Sequence, residues 1–136
     1  MQLMQVPVEQ LAEVWPLVHK HIDDACARSR GRFSAATTFE LIAAGDWQLW
    51  VVWDEGEKKH LATITTKISE FPTGLRVGEI IICTGEQRNK WVDLISELEE
   101  WARANGASVA QVWARKGWTR VMTDYDMTHV LLEKRL

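Results

Sequence analysis

The run Leu75-Arg76-Val77-Gly78-Glu79-Ile80-Ile81-Ile82-Cys83, broken by Thr84-Gly85, decides the fold. Its three successive isoleucines are apolar on both faces, as in a central strand covered on both sides. An amphipathic helix follows, with Trp91, Leu94, Ile95, Leu98, Trp101 and Ala102 along one side. Asn105-Gly106 ends that helix, and Ser108 to Ala114 reads as another strand. A strand, a helix and a second strand in this order make a crossover connection, which belongs to a mixed sheet.

Working back from this unit, His60 to Ile68 is rich in threonine and isoleucine and reads as a strand, joined to the central one by the turn Phe71-Pro72-Thr73-Gly74. Trp47 to Trp53 is aromatic and β-branched, and Asp54-Glu55-Gly56-Glu57 supplies the turn after it. Two helices precede these strands. Leu11, Val14, Trp15, Val18, Ile22 and Ala25 recur at helical spacing up to about Arg28, with Gly31 as the stop. Ser34 is the N-cap expected for a second helix carrying Phe39, Leu41 and Ile42, closed by Gly45. Gln2 to Val6 forms a short opening strand. Beyond the crossover, Lys116 to Asp124 is expected as a short helix and Thr128 to Glu133 as a closing strand. The predicted order is β-α-α-β-β-β-α-β-α-β, a mixed, mostly antiparallel α/β (α+β) sheet flanked by helices.

At 136 residues the chain is expected to be a single domain, 1–136, with enough core to need no disulfide or metal. No repeat or low-complexity linker divides it. The N-terminus lacks the basic start and apolar stretch of a signal peptide, and no run is long enough to cross a bilayer. Cys26 and Cys83 fall in different elements without metal-ligand spacing. A cytoplasmic protein with free thiols and no membrane association is therefore expected. The net charge of -3 argues against general nucleic-acid binding. Local basic clusters remain, Arg28, Arg30 and Arg32 in one and Arg115, Lys116 and Arg120 in another, and a solvated surface is their simplest use. Eight tryptophans are dispersed along the chain, which points to core packing and an interface, not to one recognition box.

Several segments carry a family resemblance. Arg30-Gly31-Arg32-Phe33, Gly45-Asp46-Trp47-Gln48-Leu49-Trp50-Val51-Val52, Trp91 with Glu100-Trp101-Ala102, and Ala114-Arg115-Lys116-Gly117-Trp118-Thr119-Arg120 are the main ones, with Asp124-Tyr125-Asp126 and Leu132-Glu133-Lys134 in the tail. Together with the element order, they make the chain similar to the GNAT acetyl-CoA-dependent N-acetyltransferases, and within them to a small bacteriophage-type group. That resemblance implies acetyl-CoA as co-substrate and an amine or protein acceptor. It places Ile81, Ile82 and Cys83 along the pantetheine arm of coenzyme A, and Thr84, Gly85, Gln87, Arg88 and Asn89 around its pyrophosphate, with Gly85 allowing close backbone approach. Arg115 falls near an asparagine of many such enzymes. The loop Gln87-Arg88-Asn89-Lys90-Trp91-Val92 lacks the two glycines of the family pattern, so Lys90 and Trp91 are expected to crowd a phosphate, and Glu86 to repel it. Met122 falls where a tyrosine acid is usual; Tyr125 takes that role if the register shifts by about one turn.

Acyl transfer to an amine needs a group that removes a proton from the ammonium, and a carboxylate in a partly apolar site suits it. Glu79, inside an otherwise apolar strand, is the favoured base; Glu70 is weaker. The plainer reading of Glu79 is a surface residue, or a partner of Arg76. His19 and His21 point to different faces of one helix, and His60 and His129 stand alone, so no metal is expected. Cys83 reads as a buried structural thiol in the absence of an electropositive neighbour. Trp113 and Trp118 either wall an acceptor pocket or, more simply, fill the core. Arg30, Arg32, Arg115 and Arg120 either grip phosphates of coenzyme A or pair with carboxylates at a subunit contact, such as a homodimer. A reading of a different class also fits: a non-catalytic GNAT-fold module for binding or assembly in phage particle production or host takeover, with a phage structural partner. The altered loop and Met122 point to it. The strand, glycine and helix framework points to the enzyme.

Overall fold

A computed structural model describes residues 1–136. Five strands form one sheet in the order β1-β2-β3-β4-β5. They are β1 (Gln2–Val6), β2 (Gln48–Asp54), β3 (Lys59–Glu70), β4 (Arg76–Gly85) and β5 (Val109–Val112). The first four pair antiparallel and β5 joins β4 in parallel, so the sheet is mixed and mostly antiparallel. Alternation along β2 builds the two layers. Leu49 and Val51 face α1 (Leu11–Ala27) and α2 (Ala35–Ala43), packing with Val18, Ile22 and Ile42. Trp50 and Val52 face the opposite side, where Trp91, Ile95 and Leu98 cover them. No helix is long and apolar enough to cross a membrane.

Local chemistry accounts for the helix ends. The Ser34 hydroxyl accepts the Thr37 amide at 3.1 Å while the Thr37 hydroxyl accepts the Ser34 amide at 2.9 Å, a reciprocal cap on α2. The helix closes at Gly45, where φ is +82°, and the Asp46 amide reaches back to the Leu41 carbonyl at 3.0 Å.

Three local expectations are corrected. First, β4 does not stop before Thr84-Gly85: Gly85 pairs with Ala62, and a Cβ there would lie 2.2 Å from the Leu61 carbonyl oxygen. Gly85 is thus required by its neighbour β3. Second, the long amphipathic helix is broken into α3 (Arg88–Trp91), a 3-10 turn (Val92–Leu94) and α4 (Ile95–Ala104). Trp91, 1% exposed, sinks its indole into the core and donates its N–H to the Glu86 carbonyl at 2.8 Å. Beyond the turn, Ile95, Leu98 and Ala102 of α4 face the sheet, on the side expected from their spacing. Third, Thr128 to Glu133 is not a strand; after a 3-10 turn at Lys116–Arg120, residues 127–136 carry no regular structure. Strand propensity is idle there because no ladder receives it. Val130 and Leu132 lie exposed.

Across the sheet, His21 of α1 and His60 of β3 share the hydroxyl of fully buried Thr63, at 2.9 and 3.1 Å, with their rings 4.8 Å apart. Desolvation holds both imidazoles below the ordinary histidine pKa. Folding therefore binds fewer protons than the open chain does at these positions, and stability falls as pH drops through the unfolded histidine range. Thermal unfolding between pH 8 and 5 is expected to show this decline, and replacing both histidines with glutamine should flatten it. Two packing predictions accompany it. Ser34→Ala should cost about 1 kcal/mol in urea unfolding. Gly85→Ala should cost about 1–3 kcal/mol, because the obstacle is backbone and cannot swing away.

Candidate functional site

The site begins with a mismatch in pairing lengths. Against β3, β4 is paired along its whole course, from Glu70↔Arg76 to Ala62↔Gly85. Against β5 it is paired only from Val77↔Val109 to Ile80↔Val112, and the last contact is the Trp113 amide on the Ile80 carbonyl at 3.1 Å. From Ile81 to Gly85 the central strand runs on without its parallel neighbour. A bulge falls at the same place: Thr66 pairs with Ile80 and Thr65 with Ile82, so Ile81 is the extra residue. The bulge turns the strand where the two chains part.

A cleft of about 520 Å³ opens there, in the size range of small-ligand sites. Ile81, Ile82, Cys83 and Thr84 form its β4 wall, and Trp113, Ala114 and Arg115 the facing one. The end of α1 and the loop after it add Arg28, Arg30, Arg32 and Phe33; Trp118 and Leu131 complete the mouth. The charge is one-sided. Arg28, Arg30, Arg32, Lys67 and Arg115 line the cleft; Glu79 is the one carboxylate among the lining residues, and Glu133 pairs with Arg30 and Arg32 at the mouth.

Glu79 is 8% exposed and lies across from Lys67 on β3 and Gln111 on β5. The Gln111 amide donates to it at 3.3 Å. Arg76 is engaged elsewhere, on the Asn105 carbonyl at 3.2 Å and near Glu70 at 3.9 Å. An acidic side chain is thus held at the inner wall with one neutral donor and no ion pair.

Of the residues expected around coenzyme A, the structure brings Ile81, Ile82, Cys83, Thr84 and Arg115 to the cleft, and leaves Gly85, Gln87, Arg88 and Asn89 beyond its walls. The Ile82 amide is already used by the Thr65 hydroxyl at 3.1 Å. Burial pushes the Cys83 thiol up to about 12, so it stays protonated at neutral pH. Gln87 takes a left-handed conformation, φ 55°, and Arg88 stacks its guanidinium 4.7 Å from the Trp118 ring. The expected crowding by Trp91 does not arise, since that side chain is in the core. Glu86 is neutralised by Lys59 at 2.7 Å, and that pairing holds its carboxyl below the usual range.

Tyr125 is not brought to the cleft. It packs against the α4 side of the sheet, and its hydroxyl donates to Glu99 at 2.6 Å. Desolvation first, and the Glu99 carboxylate second, raise its pKa above the ordinary tyrosine range. Met122 is buried in the same layer. Trp113, expected more simply as core, is 60% exposed on the cleft wall. Lys67 is a cleft residue without a sequence signature of its own, and Leu131 and Glu133 lie in the stretch expected as a strand. The signal for Lys67 was the register of β3 against Glu79, which sequence does not carry.

Neither a family model nor a curated protein matches the sequence. Solved structures do match in shape. A ribosomal-protein-alanine N-acetyltransferase from Brucella melitensis biovar Abortus 2308 superposes with TM-score 0.66 at 15% identity, covering 98% of this chain and 100% of its own. A predicted acetyltransferase from Clostridium acetobutylicum, solved with acetyl-CoA, gives 0.68 at 14%, covering 98% and 95%. An aminoglycoside acetyltransferase from an uncultured soil metagenomic sample, in complex with sisomicin, gives 0.68 at 14%, covering 99% and 95%. At such identities the likeness is one of architecture: the chain has the fold of the GNAT acetyltransferases.

Proposed function

We propose that the protein is an N-acyltransferase that draws an acetyl group from acetyl-CoA and passes it to an amine. The observation that carries this reading is the stretch of β4 beyond Ile80, which β5 leaves unpaired while β3 pairs it through to Gly85, so that a slot opens beside an interior strand. A slender acyl-pantetheine arm fits such a slot, with Ile81, Cys83 and Thr84 on one wall and Trp113 and Arg115 on the other. Arg88 and Asn89 stand at the loop that follows β4, toward which the phosphates would lead. The thioester supplies an electrophilic carbonyl and a thiol leaving group. Glu79, held by Gln111 on the inner wall, takes the proton from the acceptor's ammonium, directly or through one water. Tyr125 takes no part, because its proton is committed to Glu99. The departing sulfur is reprotonated by solvent admitted through the open mouth. The resemblance of the Arg30–Phe33 and Gly45–Val52 segments supports a phage-encoded enzyme acting in a host cytoplasm.

Differential scanning with acetyl-CoA at about a hundred times its Kd should raise Tm by roughly 5–10 °C. No shift with any coenzyme A species at millimolar concentration would end the proposal. Glu79→Gln should lower turnover about a hundredfold or more while coenzyme A affinity changes less than about twofold. Tyr125→Phe should leave turnover within about twofold and cost about 1 kcal/mol of stability. A collapse of turnover in that variant would return the acid role to Tyr125.

A further inference from the structure

The C-terminal segment is tied down at the mouth of the cleft by one group. Glu133 receives Arg30 Nε at 2.5 Å and Arg32 Nη2 on its other oxygen, so one carboxylate is forked by two guanidinium groups. Both hydrogen bonds hold the Glu133 carboxyl below its ordinary range, Arg30 first and Arg32 next. Leu131, two residues earlier, lines the cleft at its mouth. Little else retains the segment: residues 127–136 have no regular structure, and Val130, Leu131 and Leu132 are 72%, 65% and 89% exposed.

The arginine loop, by contrast, is built. Arg30 has φ 56° and Gly31 φ 82°, two successive left-handed residues, and the first is strained for an arginine. The turn sets Arg30 and Arg32 on the same carboxylate. Arg32 is braced further by the carbonyls of Ser29 and Arg30, at 3.5 and 3.4 Å. Phe33, next along, packs edge-on against Trp47 with ring centroids 5.0 Å apart. Trp47 directly precedes Gln48, which pairs with Thr66, the neighbour of the Lys67 that faces Glu79. The loop is therefore anchored at the Glu79 end of the cleft. Thr84, where the strand approaches the proposed phosphate loop, is five residues further along β4, roughly 17 Å of extended chain.

We propose that Arg30 and Arg32 form a subsite for an anionic group on the acceptor, a carboxylate or a phosphate, and that the C-terminal segment is a displaceable strap whose Glu133 fills it in the free protein. The acceptor class rests on the transferase reading; the anion subsite and its competition with Glu133 do not. An exposed ion pair is held by no more than about fivefold, so two of them restrain the strap yet yield to a ligand that also fills the cleft. While the strap is seated, the fraction of protein able to bind is reduced, and apparent affinity falls by that fraction.

The test uses the full chain and two matched amine pairs, O-phosphoethanolamine against ethanolamine and β-alanine against its amide, without any coenzyme A. NMR follows the side-chain Nε–H signals of Arg30 and Arg32. Shifts are expected with the charged member of a pair and not the neutral one; which pair responds tells phosphate from carboxylate. Glu133→Gln should tighten that affinity about five- to twentyfold and release the amides of 128–136 into a mobile state. The double variant Arg30→Gln/Arg32→Gln should abolish the binding. Equal shifts from the neutral amines, no response to either anion, or unchanged affinity in Glu133→Gln would overturn the proposal. Acetyl-CoA titrated separately reports on the transferase reading, so failure of one leaves the other legible.

Discussion

Everything at the cleft depends on unequal hydrogen bonding to the two sides of β4. One side is paired through to Gly85, the other is released after Ile80. A strand held on one side only presents polar backbone that must find water or a ligand. Such an edge in the middle of a domain is costly unless something limits its length. Here the bulge at Ile81 supplies the turn, and the chain after Val112 leaves the sheet with Trp113 exposed rather than zipping onward.

The rest of the molecule stiffens this arrangement. Gly78 and Gly85 bracket the divergence, and each is a point of contact too close for a Cβ. A Cβ on the first would lie 2.5 Å from the Ala102 Cβ of α4, and one on the second 2.2 Å from the Leu61 carbonyl oxygen of β3. The sheet is thus gripped from a helix at one end of the slot and from a strand at the other. Trp50 adds a cross-strand tie, its indole N–H on the Thr66 hydroxyl at 2.9 Å, next to the irregular step in β3. Its ring meets Trp101 edge-on, which joins α4 to the same position.

Much of this framework was legible in the sequence because it rests on local chemistry. Ser34 as a cap, Gly45 as a stop and the aromatic, β-branched run through β2 each state their structure within a few residues. Glu79 was also legible, as a charge inside an apolar strand. What was not legible depended on distant partners. Gly85 looked like a strand breaker until Ala62 was seen beside it. Trp91 fits an unbroken helix by its spacing, yet a 3-10 turn follows it and its indole N–H reaches back to the Glu86 carbonyl. Tyr125 has an acid's chemistry, but its hydroxyl donates to Glu99, 26 residues away in sequence. Val130 to Leu132 had the composition of a strand and no edge to join. The opening itself follows from where two pairings end, and no residue announces that.

The loop after β4 has a polarity of its own. Trp91 takes the Glu86 carbonyl at 2.8 Å, and the Lys90 amide takes the Gln87 carbonyl at 2.9 Å. Both oxygens are thereby turned to internal use, and the Glu86 side chain is spent on Lys59. A negatively charged visitor meets two carbonyls and a carboxylate that are already partnered, although neither of the usual glycines is there to clear its path.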